Sequence, residues 1–481
     1  MSSEPLVLAV DVGSSALRAA VIDSAGTVVA VHRVDRPDSR SGLTFDPELL
    51  EVQFAAAVRA LPNAVRSRVV AIGIVGHIGT VFADGRLRAV GPGLGWADVR
   101  GVESLRARLG DRLPRLMREI GRPVLTGGAA AAWLSLQEDR PEEAARVEWV
   151  MAPKDLLVAR LTGVIATDRT SAAYMCVSRI ADGAWSTEML DAIGLAQRLL
   201  PRPFDSTEVV ADVAAESADD LGLPAGIPVV AGGPDGTAGA TFVIGEGNQV
   251  VADIAGTTDV LVRRVDGLGD APTESMLNPY PLGGLSAAGA TGMTGGALSR
   301  WAGLLGYADL RVAMTALERA AAGIGPGAAG LRIRPTLSGS RFPRWRPDET
   351  GAVWGQHDGH RAEHFLLAAV EGAAYAVREG VDLLAAGGSP IEAVVLAGGA
   401  ARSPFLAQLR ADVLGRPVRV CPEPEVSLLG AALLAFRGVG IRASLARSAS
   451  QEQVMYPTPA TAAAYQELSA EWAASQERRS E

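Results

Sequence analysis

The chain has almost no lysine. It carries 45 basic residues, and all but Lys154 are arginine. A Walker A loop requires G-x-x-x-x-G-K-[ST], and the lone lysine sits in Ala152-Pro153-Lys154-Asp155, so a P-loop NTPase is excluded. The protein-kinase set is missing too: there is no Gly-rich loop with its strand lysine and no D-F-G. If this chain handles ATP, it does so without a phosphate-binding lysine. Cysteine is equally scarce. Cys176 and Cys421 are the only two, too few for a disulfide framework or a cysteine-based zinc site. Excess positive charge is absent: the net charge is −9 and the isoelectric point about 5.3, which excludes the clustered basic face of a nucleic-acid binder. Long apolar runs are absent as well. The longest uncharged stretch, roughly Asn278 to Ser299, is broken by Gly, Pro, Ser and Thr and does not resemble the ~20 apolar residues of a bilayer span. No basic start leads into an apolar run, so no secretory leader is expected. No G-x-S-x-G elbow is present, which argues against an α/β-hydrolase. These absences predict a soluble, cytoplasmic protein with no nucleic-acid or membrane partner.

What is present is a globular composition, 48% hydrophobic and 21% charged, over 481 residues with 55 glycines and 28 prolines. That length suggests two large domains or three small ones. Leu6 to Val10 reads as a buried strand, Asp11-Val12-Gly13-Ser14-Ser15 as a turn, and Leu17–Ile22 and Thr27–His32 as the following strands of a meander. Glu48–Ala60 reads as a helix and Val69–Ile74 as a strand. Helix and strand patterns then alternate, with Glu142–Glu148, Asp155–Leu161 and Glu188–Ile193 helical and Ile227–Ala231 a strand running into Gly232-Gly233-Pro234-Asp235. Such alternation predicts an α/β fold.

Near residue 250 the opening pattern restarts. Val250–Ala255 leads into Gly256-Thr257-Thr258 and then Val260-Leu261-Val262, again a strand, a glycine with two hydroxyl residues, and a strand. Gly236-Thr237-Ala238-Gly239-Ala240 is echoed by Leu428-Leu429-Gly430-Ala431-Ala432. The echoes predict two related halves with a boundary near residue 245. The expected division is 1–245, 246–440 and a helical tail over 441–481, with Thr458 capping a helix from Pro459 to Ser475.

Three segments are candidates for chemistry. A glycine followed by hydroxyl residues lets backbone N–H groups converge on an anion, and a matched pair could hold a phosphate chain; taken alone, each is an ordinary tight hairpin. Asp235 lies at the C-terminal end of a strand, where α/β proteins place chemistry, and would suit a base in phosphoryl transfer; the alternative is a helix cap. Leu396–Ser403 runs from a strand through Gly398-Gly399 toward a helix over Pro404–Leu414, and its small residues would admit a flat nucleotide. Gly325–Gly330 fits G-x-G-x-x-G but precedes a strand, so the dinucleotide reading fails. His357, His360 and His364 are read as solvent-facing rather than metal-binding.

Taken together these residues resemble the FGGY carbohydrate kinases of the actin/hexokinase-like ATPase fold. The resemblance runs through D-x-G-[ST]-[ST] at Asp11–Ser15, Trp96–Arg100, Pro153-Lys154-Asp155, Thr167-Asp168 with Ser171–Ala173, Gly232–Asp235, Gly256–Thr258, Arg341-Phe342-Pro343, Gly351–Gly355, His364–Glu371, and Gly398–Ser403 with Gln408 and Asp412. It implies two ribonuclease H-like α/β domains with an interdomain cleft, and transfer of the ATP γ-phosphate to a sugar or polyol hydroxyl with Mg2+. By position Asp235 resembles the catalytic base and Asp11 the magnesium-positioning carboxylate, with Asp235 also near the metal. Gly13, Ser14, Ser15 and Arg18 resemble the first phosphate loop, and Gly256, Thr257 and Thr258 the second. Gly296, Arg300, Gly399 and Ser403 fall where relatives hold the nucleotide. His77, Ile78, Trp96, Asp98 and Asp235 fall at the substrate. Against the xylulokinase pattern, His77 replaces Gln, Ile78-Gly79 replaces Met-His, and Gly236 stands where an Asn or Gln amide is usual. The implied substrate is a ketopentose such as D-xylulose, phosphorylated at position 5, with gluconate or another polyol as the alternative and a homodimer as the expected assembly. A non-catalytic ATP-driven switch of the same fold is the reading from another class; the short tail cannot supply the peptide-binding domain it would need.

Overall fold

A computed structural model describes residues 4–37, 43–256, 258–292, 295–336, 339–445 and 453–477. The chain divides into two compact units. The first comprises Met1–Glu246, Leu277–Leu285 and Glu425–Arg447; the second comprises Gly247–Met276, Ser286–Pro424 and Ser448–Glu481.

The first unit is built on a mixed sheet. Leu6–Val12 pairs antiparallel with Ala16–Asp23, which pairs antiparallel with Val28–Asp35. On its other side Leu6–Val12 runs parallel to Val69–Gly76, followed by Pro228–Val230 and then Val209–Asp212 at the far edge. Leu6–Val12 is buried at every position, as befits a central strand covered on both faces. Val28–Asp35 at the opposite edge is largely exposed and carries His32, Arg33 and Asp35, the polar dressing that keeps an edge strand from pairing further. One face of the sheet packs on the helix Glu48–Arg59 through Leu50, Phe54, Ala57 and Val58. The other is covered by the helix Val426–Gly438.

Sequence order assigned that last helix to the second half, yet it packs within the first unit. Its small residues give the reason. A Cβ on Gly73 would strike the carbonyl of Ala431, and a Cβ on Gly430 would strike that of Ala238. Strand Val69–Gly76, helix Asp235–Ile244 and helix Val426–Gly438 thus meet backbone to backbone, and any side chain there would force them apart.

The second unit repeats the device. Val250–Ala255 and Asp259–Val265 form an antiparallel hairpin, and Val250–Ala255 runs parallel to Ala393–Gly398, which runs parallel to Val418–Val420. Gln453–Met455 closes the edge antiparallel. The long helix Ala362–Ala385 packs through Leu366, Leu367, Val370 and Tyr375. The tail helix, Pro459–Glu477, is no separate appendage: Tyr465 and Trp472 are buried in this core, and Tyr465 Oη donates to the buried Glu371 carboxylate at 2.9 Å. The helix expected over Glu142–Glu148 is shorter, Pro141–Ala144, because the chain must straighten into strand Trp149–Met151. Helix Pro404–Leu414 has the bounds the sequence predicts, with Ser403 as its cap. Among the described residues no helix is long and apolar enough to cross a membrane.

Candidate active site

In the first unit, strand Leu6–Val12 ends at a turn that only glycine can make: a Cβ on Gly13 would lie 2.8 Å from the carbonyl oxygen of Ala16. Arg36, buried beside it, donates to the Gly13 carbonyl at 2.8 Å and fixes the loop from beneath. Ser14 and Ser15 sit at its tip, Ser15 exposed. Asp11 lies one residue inside the strand end and is 3% exposed. Arg18, opposite it across the hairpin, approaches Asp11 Oδ2 at 3.5 Å and Glu425 at 2.8 Å. Among the described residues Asp11 Oδ1 has no hydrogen-bond partner. Burial, with repulsion from Asp235 and Glu425 only partly offset by Arg18, raises the Asp11 pKa from 3.8 to about 7.

Asp235 is reached by an equally constrained path. Gly232 has φ of +76°, and a Cβ there would strike the Ile74 carbonyl. Gly233 and Pro234 then lie parallel to Val75 and Gly76, and Asp235 opens the helix Asp235–Ile244. Its Oδ1 accepts from Gly236 N at 2.6 Å, and burial raises its pKa. The alternative reading as a helix cap is partly realised in that backbone contact. The same carboxylate is also close enough to Asp11 to repel it, which a mere cap need not be.

The lone lysine supports this path. Lys154 is buried, with Nζ 2.6 Å from Asp155, 2.9 Å from Asp168 and 2.9 Å from the carbonyl oxygen of Ala231, four residues before Asp235. Asp155 Oδ2 accepts from Ala152 N, and Asp168 Oδ1 caps helix Arg169–Tyr174 through Ser171 N. One ammonium therefore ties two helix starts to the strand that delivers Asp235.

Of the expected substrate residues, His77 is buried, edge-on to Phe45 at 5.0 Å, with Nδ1 3.1 Å from the Ile78 carbonyl. His77 and half-buried Ile78 wall a small cavity with Ser171, Tyr174, Met175 and Pro234. Asp98 is buried and grips Arg100 with both oxygens, Nε at 2.9 and 2.8 Å. Trp96 is 48% exposed.

The second unit places its candidates at the matching strand ends. Gly256 N donates to the Thr258 carbonyl at 3.0 Å, closing the turn, and Thr258 Oγ1 accepts from Gly292 N at 2.7 Å. Thr257 lies outside the described residues. Gly399 N donates to the Ala255 carbonyl at 2.7 Å, so the Gly398-Gly399 bend sits directly beside the Gly256 turn. Gly296 and Arg300 are exposed on helix Gly295–Leu304. The Ser403 hydroxyl is engaged as a helix cap, accepting from Leu406 N and donating to Glu318 at 2.8 Å. His357, His360 and His364 cluster at the surface, where His357 and His360 stack at 3.8 Å.

Several participants escaped the sequence reading. Glu425, which shares Arg18, directly precedes the small-residue helix whose echo was noticed. Tyr174, Arg122 and Asn278 come together only through the fold: Arg122 and Asn278 are far apart in the chain, and no local pattern joins them.

Profiles for the FGGY family of carbohydrate kinases match this chain in both parts, the N-terminal domain over residues 6–241 and the C-terminal domain over 250–439. The chain belongs to that family. A xylulose kinase of Streptomyces coelicolor is 31% identical, the match covering 89% of this chain and 87% of the relative, and a xylulose kinase of Escherichia coli is 29% identical over 96% of each. Among solved structures, a gluconate kinase from Lactobacillus acidophilus superposes with a TM-score of 0.88 at 22% identity, covering 99% of this chain and 98% of the other, a likeness of fold. As an FGGY kinase the protein is a carbohydrate phosphotransferase, with the mixed α/β two-domain fold of that family.

Proposed function

We propose that the protein transfers the γ-phosphate of ATP to a hydroxyl of D-xylulose or a closely similar ketopentose, giving the 5-phosphate. The observation that carries the choice of substrate is that two arginines beside the candidate substrate residues, Arg100 next to Asp98 and Arg122 over Tyr174, are already engaged. Arg100 is held by Asp98, and Arg122 is buried against the carbonyls of Gly121 and Leu277 and the amide of Asn278. An aldonic acid such as gluconate brings a carboxylate that needs a cation of its own; a neutral ketose does not. The xylulose kinases among the relatives support the same choice.

In this reading Asp235 takes the proton of the attacking hydroxyl. Burial raises its pKa, which makes it a stronger base than an exposed carboxylate. The residues also fit Mg2+. Asp11 has one oxygen without a hydrogen-bond partner among the described residues and a carboxylate that burial makes costly to ionise, which a cation would relieve. Mg2+ is ordinarily held by one or two carboxylates together with phosphate oxygens and water. Asp11, with Asp235 beside it, would hold the ion, and the ion would neutralise charge on the transferring phosphate. The Gly13–Ser15 turn and Arg18 would bind phosphate oxygens, and the Gly256–Thr258 turn, Gly296, Arg300 and Gly399 would bind the rest of the nucleotide. Positioning and converging N–H dipoles replace the missing lysine. Two free, buried cysteines suit a reducing cytoplasm.

A coupled ADP-release assay over D-xylulose, gluconate and glycerol tests this. Turnover is expected with D-xylulose and Mg·ATP, and Asp235→Ala is expected to lower kcat about 10³-fold while ATP still binds. Turnover confined to gluconate overturns the substrate, and near-normal turnover by Asp235→Ala overturns the base.

A further inference from the structure

A polar chain of fixed direction ends at the cavity walled by His77, Ile78 and Pro234. It begins at Arg122, 3% exposed, whose guanidinium lies 5.1 Å over the ring of Tyr174 and donates to Asn278 Oδ1 at 2.8 Å. Arginine can only donate, so the oxygen of the Asn278 amide must face it. The NH2 group of Asn278 then faces Tyr174 and donates to its phenol oxygen at 3.3 Å. With the Asn278 amide donating to its oxygen, the Tyr174 phenol has its own proton left to offer.

We infer that Tyr174 is a specificity-determining residue that donates its phenol proton to the carbonyl oxygen of a keto sugar. Arg122 and Asn278 are its positioning residues, because they fix which way the chain of hydrogen bonds runs. A carbonyl oxygen only accepts, so it is fully satisfied by a group that only donates. A hydroxyl at the same place can accept but must also find a partner for its own proton, so it gains less from a phenol that donates. Gly236 sharpens the requirement. Its side is open, with no atom within 4 Å of where a Cβ would stand, so residue 236 brings no side-chain donor or acceptor to the site.

This inference rests on the proposed ketose kinase activity, and the test separates the two. Steady-state rates are measured for D-xylulose and for xylitol, which differs in carrying a hydroxyl in place of the carbonyl. The unaltered protein is expected to favour the ketose. Tyr174→Phe is expected to raise KM for D-xylulose at least 10-fold and to lower the ketose-to-polyol ratio of kcat/KM by a similar factor, with KM for ATP changed less than twofold. Asn278→Asp keeps the phenol but puts a carboxylate oxygen where the NH2 group stood. That oxygen takes the phenol proton, so the variant is expected to lose the same selectivity although Tyr174 is intact. A general loss of packing would lower both substrates alike and would not move the ratio. Turnover of D-xylulose with unchanged selectivity in both variants overturns the inference alone. Absence of any ketose turnover by the unaltered protein overturns the functional reading and this inference with it.

Discussion

The two hairpins use their carboxylates in opposite ways. In the first unit Asp11 lies two residues before Gly13; in the second, Asp253 lies three before Gly256. Side chains alternate across a strand, so this offset of one places the two acids on opposite faces of their sheets. The residue that matches Asp11 is Ile254. Asp11 keeps an oxygen without a hydrogen-bond partner among the described residues and shares Arg18 with Glu425. Asp253 instead points into its own unit, where Arg410 from helix Pro404–Leu414 reaches it at 3.3 Å and reaches Asp259 at 2.8 Å, all three side chains being nearly inaccessible. Both acids keep oxygens that make no hydrogen bond among the described residues; they differ in their cation, which Asp11 shares with Glu425 at a partly open strand end and which Asp253 and Asp259 hold between them in the core. A buried acid near a glycine–hydroxyl turn is therefore read as a ligand site only where its cation is partly open to solvent, as Arg18 is, rather than enclosed, as Arg410 is.

The largest effect that would break this contrast comes from Arg410. Arg410→Met leaves two buried carboxylates without their cation, a loss on the order of 3–5 kcal/mol. Thermal unfolding should show the melting temperature lowered by several degrees or more, with or without Mg·ATP present. A variant with unchanged Tm would mean that the second cluster is solvated and not closed.

Next in size is the pH response of Asp11. Its pKa is 3.8 ordinarily and about 7 in the fold, so between about pH 4 and 7 the folded state keeps a proton that the unfolded chain has released. Stability therefore falls as pH rises through that interval, by ~4 kcal/mol at most for three pKa units. Mg2+ with nucleotide should restore it at pH 7.5 and should bind less tightly at pH 5.5. Asp11→Asn should reduce both the pH slope and the gain from Mg2+. Melting curves from pH 4.5 to 8, with and without the metal, decide this; an unaltered slope in Asp11→Asn would show that Asp11 is not the group that titrates.

The comparison also shows what could be read in the sequence and what could not. The α/β class, the hairpin restart at Val250 and the helix Pro404–Leu414 were legible because period-2 and period-3.6 patterns and Gly, Pro and Ser punctuation are local. Asp11 and Asp235 stand out in the sequence as candidates because each lies close to turn glycines. Membership of the helix Val426–Gly438 in the first unit was not legible, since it depends on where Gly73 and Gly430 allow backbones to touch. Nor was the Arg122–Asn278–Tyr174 chain, which joins residues 156 positions apart at its widest bond. Ser403 carries the converse warning: its place matched the nucleotide pattern, and its hydroxyl is already engaged as a cap and as a donor to Glu318.

The smallest effect sharpens the comparison most. Burial, and then repulsion from Asp259, holds the Asp253 pKa well above the ordinary carboxylate value, while Arg410 pulls the other way. Asp253→Asn replaces the acid by a neutral amide of the same shape, which ends the repulsion from Asp259 and can still accept from Arg410 and donate toward Asp259. Stability should change by no more than ~1 kcal/mol, against the much larger loss from Arg410→Met. The same Asp-to-Asn exchange at Asp11 should abolish most turnover, whereas at Asp253 it should leave kcat within about threefold. Equal losses at the two sites would mean that the second acid also serves a ligand, and the distinction between an open and a closed carboxylate would fall.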